Sequence, residues 1–173
     1  KYVIIHDGTV DRTAKNGRTG EVGSMSFRQV RSVDLGSSQK IPELEEFLKA
    51  IPSGKFVNIE LKDETLTPAD CPELCAIILK YIERQRLLVS SFDHSLLPYF
   101  KTQKVDIGLL IGEEHAHLGV TGLIRRVIQM KPQSMNLPIQ LFKKAGKIPT
   151  AAMIRIFRLL GAKIFFWTVN TEE

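Results

Sequence analysis

The sequence predicts an α/β fold in which parallel strands are covered by helices, and two observations carry that expectation. Short β-type runs alternate with helical ones along the chain, the pattern of a parallel sheet with helices outside it. Several of those runs turn polar at their C-terminal ends, where parallel barrels and open α/β sheets keep their chemistry. Six strand runs and five helical runs in simple alternation fit part of a (β/α)8 barrel, and they also fit a doubly wound sheet. The chain has 173 residues, enough for one sizeable core, with no internal repeat, linker or low-complexity tract. It therefore reads as a single domain over residues 1–173.

Each element has its own warrant. "YVII" (2–5) is an apolar strand run. Residues 8–40 are rich in Gly, Ser, Thr and charge and read as a loop-rich insertion, a break long enough to be functional or a small subdomain. "IPELEEFLKAI" (41–51) has a proline at its start and acids in its first turn, so it reads as a helix. "KFVNIEL" (55–61) is a strand, and 68–85 is a helix with Pro72 in its first turn. "LLVSSF" (87–92) is a strand, 94–101 a short helix, and "VDIGLLI" (105–111) a strand. Residues 120–130 are a helix and 133–137 a short strand. The helix at 150–161 closes on Gly161, a residue suited to the left-handed C-terminal position. "KIFFWTVN" (163–170) is the last strand.

Composition removes several function classes. No apolar run is long enough to span a membrane, so stable membrane insertion is not expected. The net charge of +5 is spread along the chain rather than gathered in a stripe. No nucleic-acid motif accompanies it, so it reads as a solvated surface compatible with an anionic small substrate. Cys71 and Cys75 are the two cysteines, spaced to share a helix face, and they read as reduced, partly buried thiols. Few cysteines and no visible leader favour the cytoplasm. Nothing in the sequence speaks to oligomeric state.

The candidate chemistry sits at strand ends. In "FVNIELK", alternation puts Val57, Ile59 and Leu61 on one face and Asn58, Glu60 and Lys62 on the other. A carboxylate and an ammonium then lie side by side near the C-terminal end of a strand. The plain alternative is an ion pair capping the strand. The functional one is a ligand for a hard cation beside a point charge for phosphate. Trp167, near the end of the last strand, serves either as core or as a pocket wall. Asp93 reads as an N-cap, and His94 as a surface histidine at a helix start. His6 ends the first strand run, followed by Asp7, and histidine is suited to proton transfer near neutrality. The dipeptide is weak evidence by itself and gains weight from the other polar strand ends.

Taken together and in order, "VIIHDGTVDRTAKNGRTGEV", "IPELEEFL", "VNIELK", "SSFDH" and "FFWTVN" resemble the glycerophosphodiester phosphodiesterases over nearly the whole chain. The resemblance implies a TIM (β/α)8 barrel with a small insertion at 8–40. It implies cleavage of a small-molecule glycerophosphodiester to glycerol 3-phosphate and an alcohol, with a divalent metal, Mg²⁺ or Ca²⁺, and two histidines. By the same resemblance His6 is an acid–base histidine, Glu60 a metal ligand, Lys62 the lysine that meets phosphate and Trp167 the pocket tryptophan. Asp7 supports His6. The attacker is water or, as the resemblance favours, a glycerol hydroxyl acting through a cyclic phosphate.

The family's His-Arg-Gly strand, its Glu-x-Asp strand and its final strand have no counterpart here. The expectation is therefore an incomplete barrel, truncated at both ends and neither stable nor active alone. A lysophospholipase D-like enzyme of the same superfamily is the near rival, and an apolar rim in "IGEEHAHLGV" (111–120) would favour it. A catalytically inactive, ligand-binding barrel is the rival from another class.

Overall fold

The computed structural model describes residues 1–140 and 146–169. The chain forms two compact units, one of Lys1–Lys55 with Glu64–Glu83, the other of Phe56–Asp63 with Arg84–Glu173.

The second unit is the sheet. Strands β1 (Val57–Leu61), β2 (Leu87–Ser91), β3 (Asp106–Leu110), β4 (Ser134–Pro138) and β5 (Lys163–Trp167) are all parallel and pair in chain order. Parallel neighbours need a crossover rather than a hairpin, and helical segments supply it. A 3-10 turn (His94–Leu96) and helix α4 (Pro98–Thr102) follow β2, and a 3-10 segment (Glu113–Leu118) and helix α5 (Gly119–Met130) follow β3. Helix α6 (Lys147–Leu159) precedes β5. Sequential parallel pairing of this kind is the arrangement of consecutive strands in a (β/α)8 barrel, here with five strands among the described residues.

Strand alternation splits the sheet into two chemistries. One face carries Ile59, Leu61, Val89, Ile107, Leu109, Met135 and Leu137, all buried, and Phe100 of α4 and Phe157 of α6 are fully buried as well. Each such side chain contributes roughly 1.5–3 kcal/mol on leaving water. This confirms the apolar face expected of Ile59 and Leu61. The end of α6 is also as expected, with Gly161 just beyond it at φ 90°, a left-handed conformation that glycine enters without steric cost.

The first unit holds α1 (Phe27–Arg31), α2 (Leu44–Ala50) and α3 (Cys71–Leu79). Its buried cluster is Val10, Val30, Val33 and Ile41, with Val3, Ile5 and Leu35 against it. Cys71 and Cys75 are both buried on α3, deeper than the partial burial expected of them.

Three expectations about elements need correction. Residues 2–5 are not a strand: Val3 makes a single antiparallel bridge to Glu43, with Ile4 N donating to Pro42 O and Leu44 N to Tyr2 O. Val3 and Ile5 of the apolar run are partly buried against their own unit's cluster, and the run's backbone bonds go to the residues leading into α2 rather than to a sheet. Segment 8–40 is not purely irregular, because it contains α1. The Ser26 side chain accepts from Gln29 N, and Gln29 Oε1 accepts from Ser26 N, a capping box that starts this helix. The helix expected at 68–85 is shorter, ending at Leu79. In the last strand run, Asn170 lies outside the described residues.

Candidate active site

The polar face of the sheet is built by register. Glu60 lies opposite Ser90, Ser90 opposite Gly108, and Gly108 opposite Ser134. One step further along the strands, Leu110 lies opposite Asn136 and Asn136 opposite Phe165. Ser90, Ser134 and Asn136 are buried. Ser90 Oγ donates to Asn58 Oδ1 at 3.0 Å, whereas Ser134 Oγ and Asn136 Oδ1 have no protein partner. Gly108 leaves room for this row: a Cβ there would stand 2.7 Å from Ser134 Oγ and 3.1 Å from Asn136 Nδ2. A sheet face that buries two serines and an asparagine in place of valines, beside a part-exposed carboxylate, is costly as core and useful as a site.

Glu60 and Lys62 meet as the alternation requires. Lys62 Nζ donates to Glu60 Oε1 at 2.5 Å, and each side chain keeps somewhat more than a quarter of its surface in water. The pair is therefore accessible to a ligand. Trp167 is half-buried; its Nε1 donates to Asn136 O at 3.1 Å, and its ring meets Phe92 edge-on with centroids 5.5 Å apart. The hydrogen bond and the ring contact hold the indole plane without sealing it in core.

In the first unit His6 Nδ1 lies 2.6 Å from Asp7 Oδ1. Arg12 grips the same carboxylate, Nε to Oδ2 at 2.7 Å and Nη2 to Oδ1 at 3.1 Å. Hydrogen bonds from Arg12, and then from His6, hold the Asp7 carboxyl well below the usual carboxylate range. His6 itself is largely exposed. Asp7 was legible as a neighbour of His6; Arg12 was not singled out by the sequence.

His94 overturns its sequence reading. It is buried, not a surface residue. Its Nε2 donates to Leu110 O at 3.0 Å, and its ring stacks on His115 with centroids 4.5 Å apart. Burial, ahead of every other influence, lowers its pKa to about 4. His115 was also missed; its Nδ1 accepts from Gly112 N at 3.2 Å. These rings, with Asp93, Glu114, His117 and Arg126, line a cleft of about 440 Å³. Asp93 does cap its turn, accepting from Ser95 N at 2.8 Å.

The donor chemistry suits a hard cation in part. Glu60 offers carboxylate oxygen, the ligand type that Mg²⁺ and Ca²⁺ take. Among the described residues no group of three Asp, Glu, His or Cys side chains gathers around one point, so Glu60 would account for one ligand of such a shell and not for the shell. Among the same residues no helix is long and apolar enough to cross a membrane.

Parallel strands in barrel order, with Glu60 and Lys62 together on the polar face of one of them, place the chain among the α/β barrels. Residues 1–173 match the Glycerophosphoryl diester phosphodiesterase family, and the chain belongs to that family of phosphodiesterases. A glycerophosphodiester phosphodiesterase of Caldanaerobacter subterraneus subsp. tengcongensis is 30% identical over 182 residues, covering 99% of this chain and 69% of the relative. A phosphodiesterase of Oleispira antarctica, solved in complex with the product sn-glycerol-3-phosphate, shares the fold with a TM-score of 0.77 at 20% identity over 98% of this chain and 68% of that one. A glycerophosphodiester phosphodiesterase from Parabacteroides distasonis does so with a TM-score of 0.72 at 18% identity, over 98% and 66%. The chain thus spans about two thirds of these proteins, and the barrel expected from the sequence is the fold they share with it.

Proposed function

We propose that the protein hydrolyses glycerophosphodiesters to sn-glycerol 3-phosphate and an alcohol, with a divalent cation, Mg²⁺ or Ca²⁺, at Glu60. The family match over residues 1–173 carries the reading, and the Oleispira relative's bound product supports the glycerol 3-phosphate half of the substrate. Glu60 supplies one oxygen to the cation, and Lys62 places an ammonium on a phosphoryl oxygen. These two groups neutralise each other through their 2.5 Å bond; substrate and cation would separate them and take one each. A bound cation would supply charge neutralisation for the phosphoryl group. His6 moves a proton to or from a reacting oxygen, held by Asp7, and Trp167 walls the pocket. Residues 1–173 act in this reading as one domain.

The segment 111–120 does not form an apolar rim. Glu114, His115, His117 and Leu118 of this segment instead line a cleft of mixed polar and apolar character, which does not single out the lipid substrates of a lysophospholipase D-like enzyme.

The test is release of glycerol 3-phosphate from glycerophosphocholine by the full-length protein, with and without a chelator. Release should depend on the metal and fall by about 10²-fold or more in His6→Ala and Glu60→Ala, the range of lost acid–base or metal catalysis. No release across several headgroups and metals would refute the reading and leave the binding-only barrel.

A further inference from the structure

The turn that follows the His6-Asp7 dipeptide is built more firmly than a surface loop requires. Val10 is fully buried in the first unit's cluster. Its N donates to Gly20 O at 3.1 Å, and its O accepts from Thr13 N at 3.1 Å and from Ala14 N at 2.8 Å. Asp11 Oδ1 accepts from Gly20 N at 2.7 Å. The backbone on both sides of Arg12 is therefore fixed, and the guanidinium turns back five residues to Asp7.

That return does little for stability. Arg12 keeps 69% of its side chain exposed, and an exposed ion pair contributes little. What the fork does is geometric. Nε and Nη2 take one carboxylate oxygen each, so the plane of the Asp7 carboxylate is set, and Oδ1 is presented to His6 Nδ1 at 2.6 Å. An ionised carboxylate only accepts hydrogen bonds, so the shared proton sits on Nδ1. The imidazole is left with Nε2 as the nitrogen that exchanges protons with a substrate.

We infer that Arg12 is a positioning residue: by clamping Asp7 it holds neutral His6 in the Nδ1-protonated tautomer and aims Nε2 at the reacting oxygen. The inference rests on the phosphodiesterase reading for its catalytic consequence, while the tautomer itself is independent of that reading. Lysine would substitute only in part, because an ammonium keeps the charge but lacks the two-pronged planar fork.

The experiment is nitrogen-15 NMR of the His6 imidazole at alkaline pH in the full-length protein, beside steady-state kinetics on glycerophosphocholine. The wild-type His6 should show the Nδ1-protonated tautomer. Arg12→Gln should turn it into a mixture of both tautomers, and Arg12→Lys should fall between, the charge being kept and the fork lost. In kinetics kcat should fall about tenfold in Arg12→Gln, a fraction of the full acid–base contribution, with KM within about twofold. A His6 tautomer unchanged in Arg12→Gln overturns the inference, as does a changed tautomer with kcat intact. A wild-type protein that hydrolyses no glycerophosphodiester overturns the phosphodiesterase reading and the catalytic role together, and the nitrogen shifts still decide the clamp.

Discussion

Burial of His94 should make the sheet unit acid-sensitive in a pH range where carboxylates are still ionised. The imidazole titrates near 6.5 in an unfolded chain, and burial lowers it to about 4 in the fold. Above pH 6.5 it is neutral in both states and contributes nothing to the pH dependence. Between 6.5 and about 4 the unfolded chain takes up a proton that the fold refuses, so stability falls as pH falls, by up to about 1.4 kcal/mol per pH unit. The full loss is on the order of 3 kcal/mol and is complete below about pH 4. His115, Arg126 and Asp93 act on the same ring, the first two lowering and Asp93 raising its pKa, but each is a smaller influence than burial. The perturbation is His94→Leu, which keeps an apolar side chain against His115 and deletes the titration. At pH 7 it should destabilise by about 1–3 kcal/mol, because Leu110 O loses its 3.0 Å donor. Towards pH 4 that deficit should shrink by about 3 kcal/mol and can reverse. Carboxylate protonation affects wild type and variant alike and cancels in the difference. The assay is urea unfolding at pH steps from 7 to 4, followed by the fluorescence of the single tryptophan, Trp167, which lies in the same unit. A difference between the two proteins that stays constant from pH 7 to 4 would refute the argument.

Two further substitutions test the packing that positions the polar face and the insertion. Gly108→Ala should cost about 1–3 kcal/mol by overpacking, since its Cβ would stand 2.7 Å from Ser134 Oγ and 3.3 Å from Ser90 Cβ. Adding Ser134→Ala should restore part of that loss, a coupling read by a double-mutant cycle in urea. Ser26→Ala should cost about 0.5–2 kcal/mol by removing the cap of α1, and hydrogen exchange should quicken first in Phe27–Arg31.

Much of the sheet was legible because its signals are local and periodic. Alternation in "FVNIEL" puts Ile59 and Leu61 in the core and Glu60 on the other face by backbone geometry alone, and the register then has no freedom to move the carboxylate. The run at 2–5 carries the same apolar signal and forms no strand. Apolarity records that a segment is buried, and the partner of its backbone, here 42–44, is a tertiary fact. Helix α1 was legible in principle, since Ser26 and Gln29 have capping-box spacing, but five residues give too short a period to outweigh the surrounding glycines and charges. His94 was misread for the opposite reason. Its position at a helix start resembles a surface site, and the acceptor that lets an imidazole be buried, Leu110 O, comes from the next strand.

The site divides along the same line. Glu60 and Lys62 are two residues apart on one strand, so strand geometry brings them together without help from the rest of the fold. His6 and Asp7 are adjacent, but adjacency does not say that Nδ1 and Oδ1 meet, because consecutive side chains in an extended chain point apart. They meet because the run at 2–5 is not a continuing strand and the chain bends at His6. The contact that singles out one tautomer depends on Arg12, whose approach is set by Val10 burying itself and by the pairing of Gly20 with Val10 and Asp11. An arginine five residues beyond a histidine is unremarkable in sequence. The insertion that looks like loop thus supplies the turn that places the proton of His6, and a perturbation of its small core should be felt at Nε2.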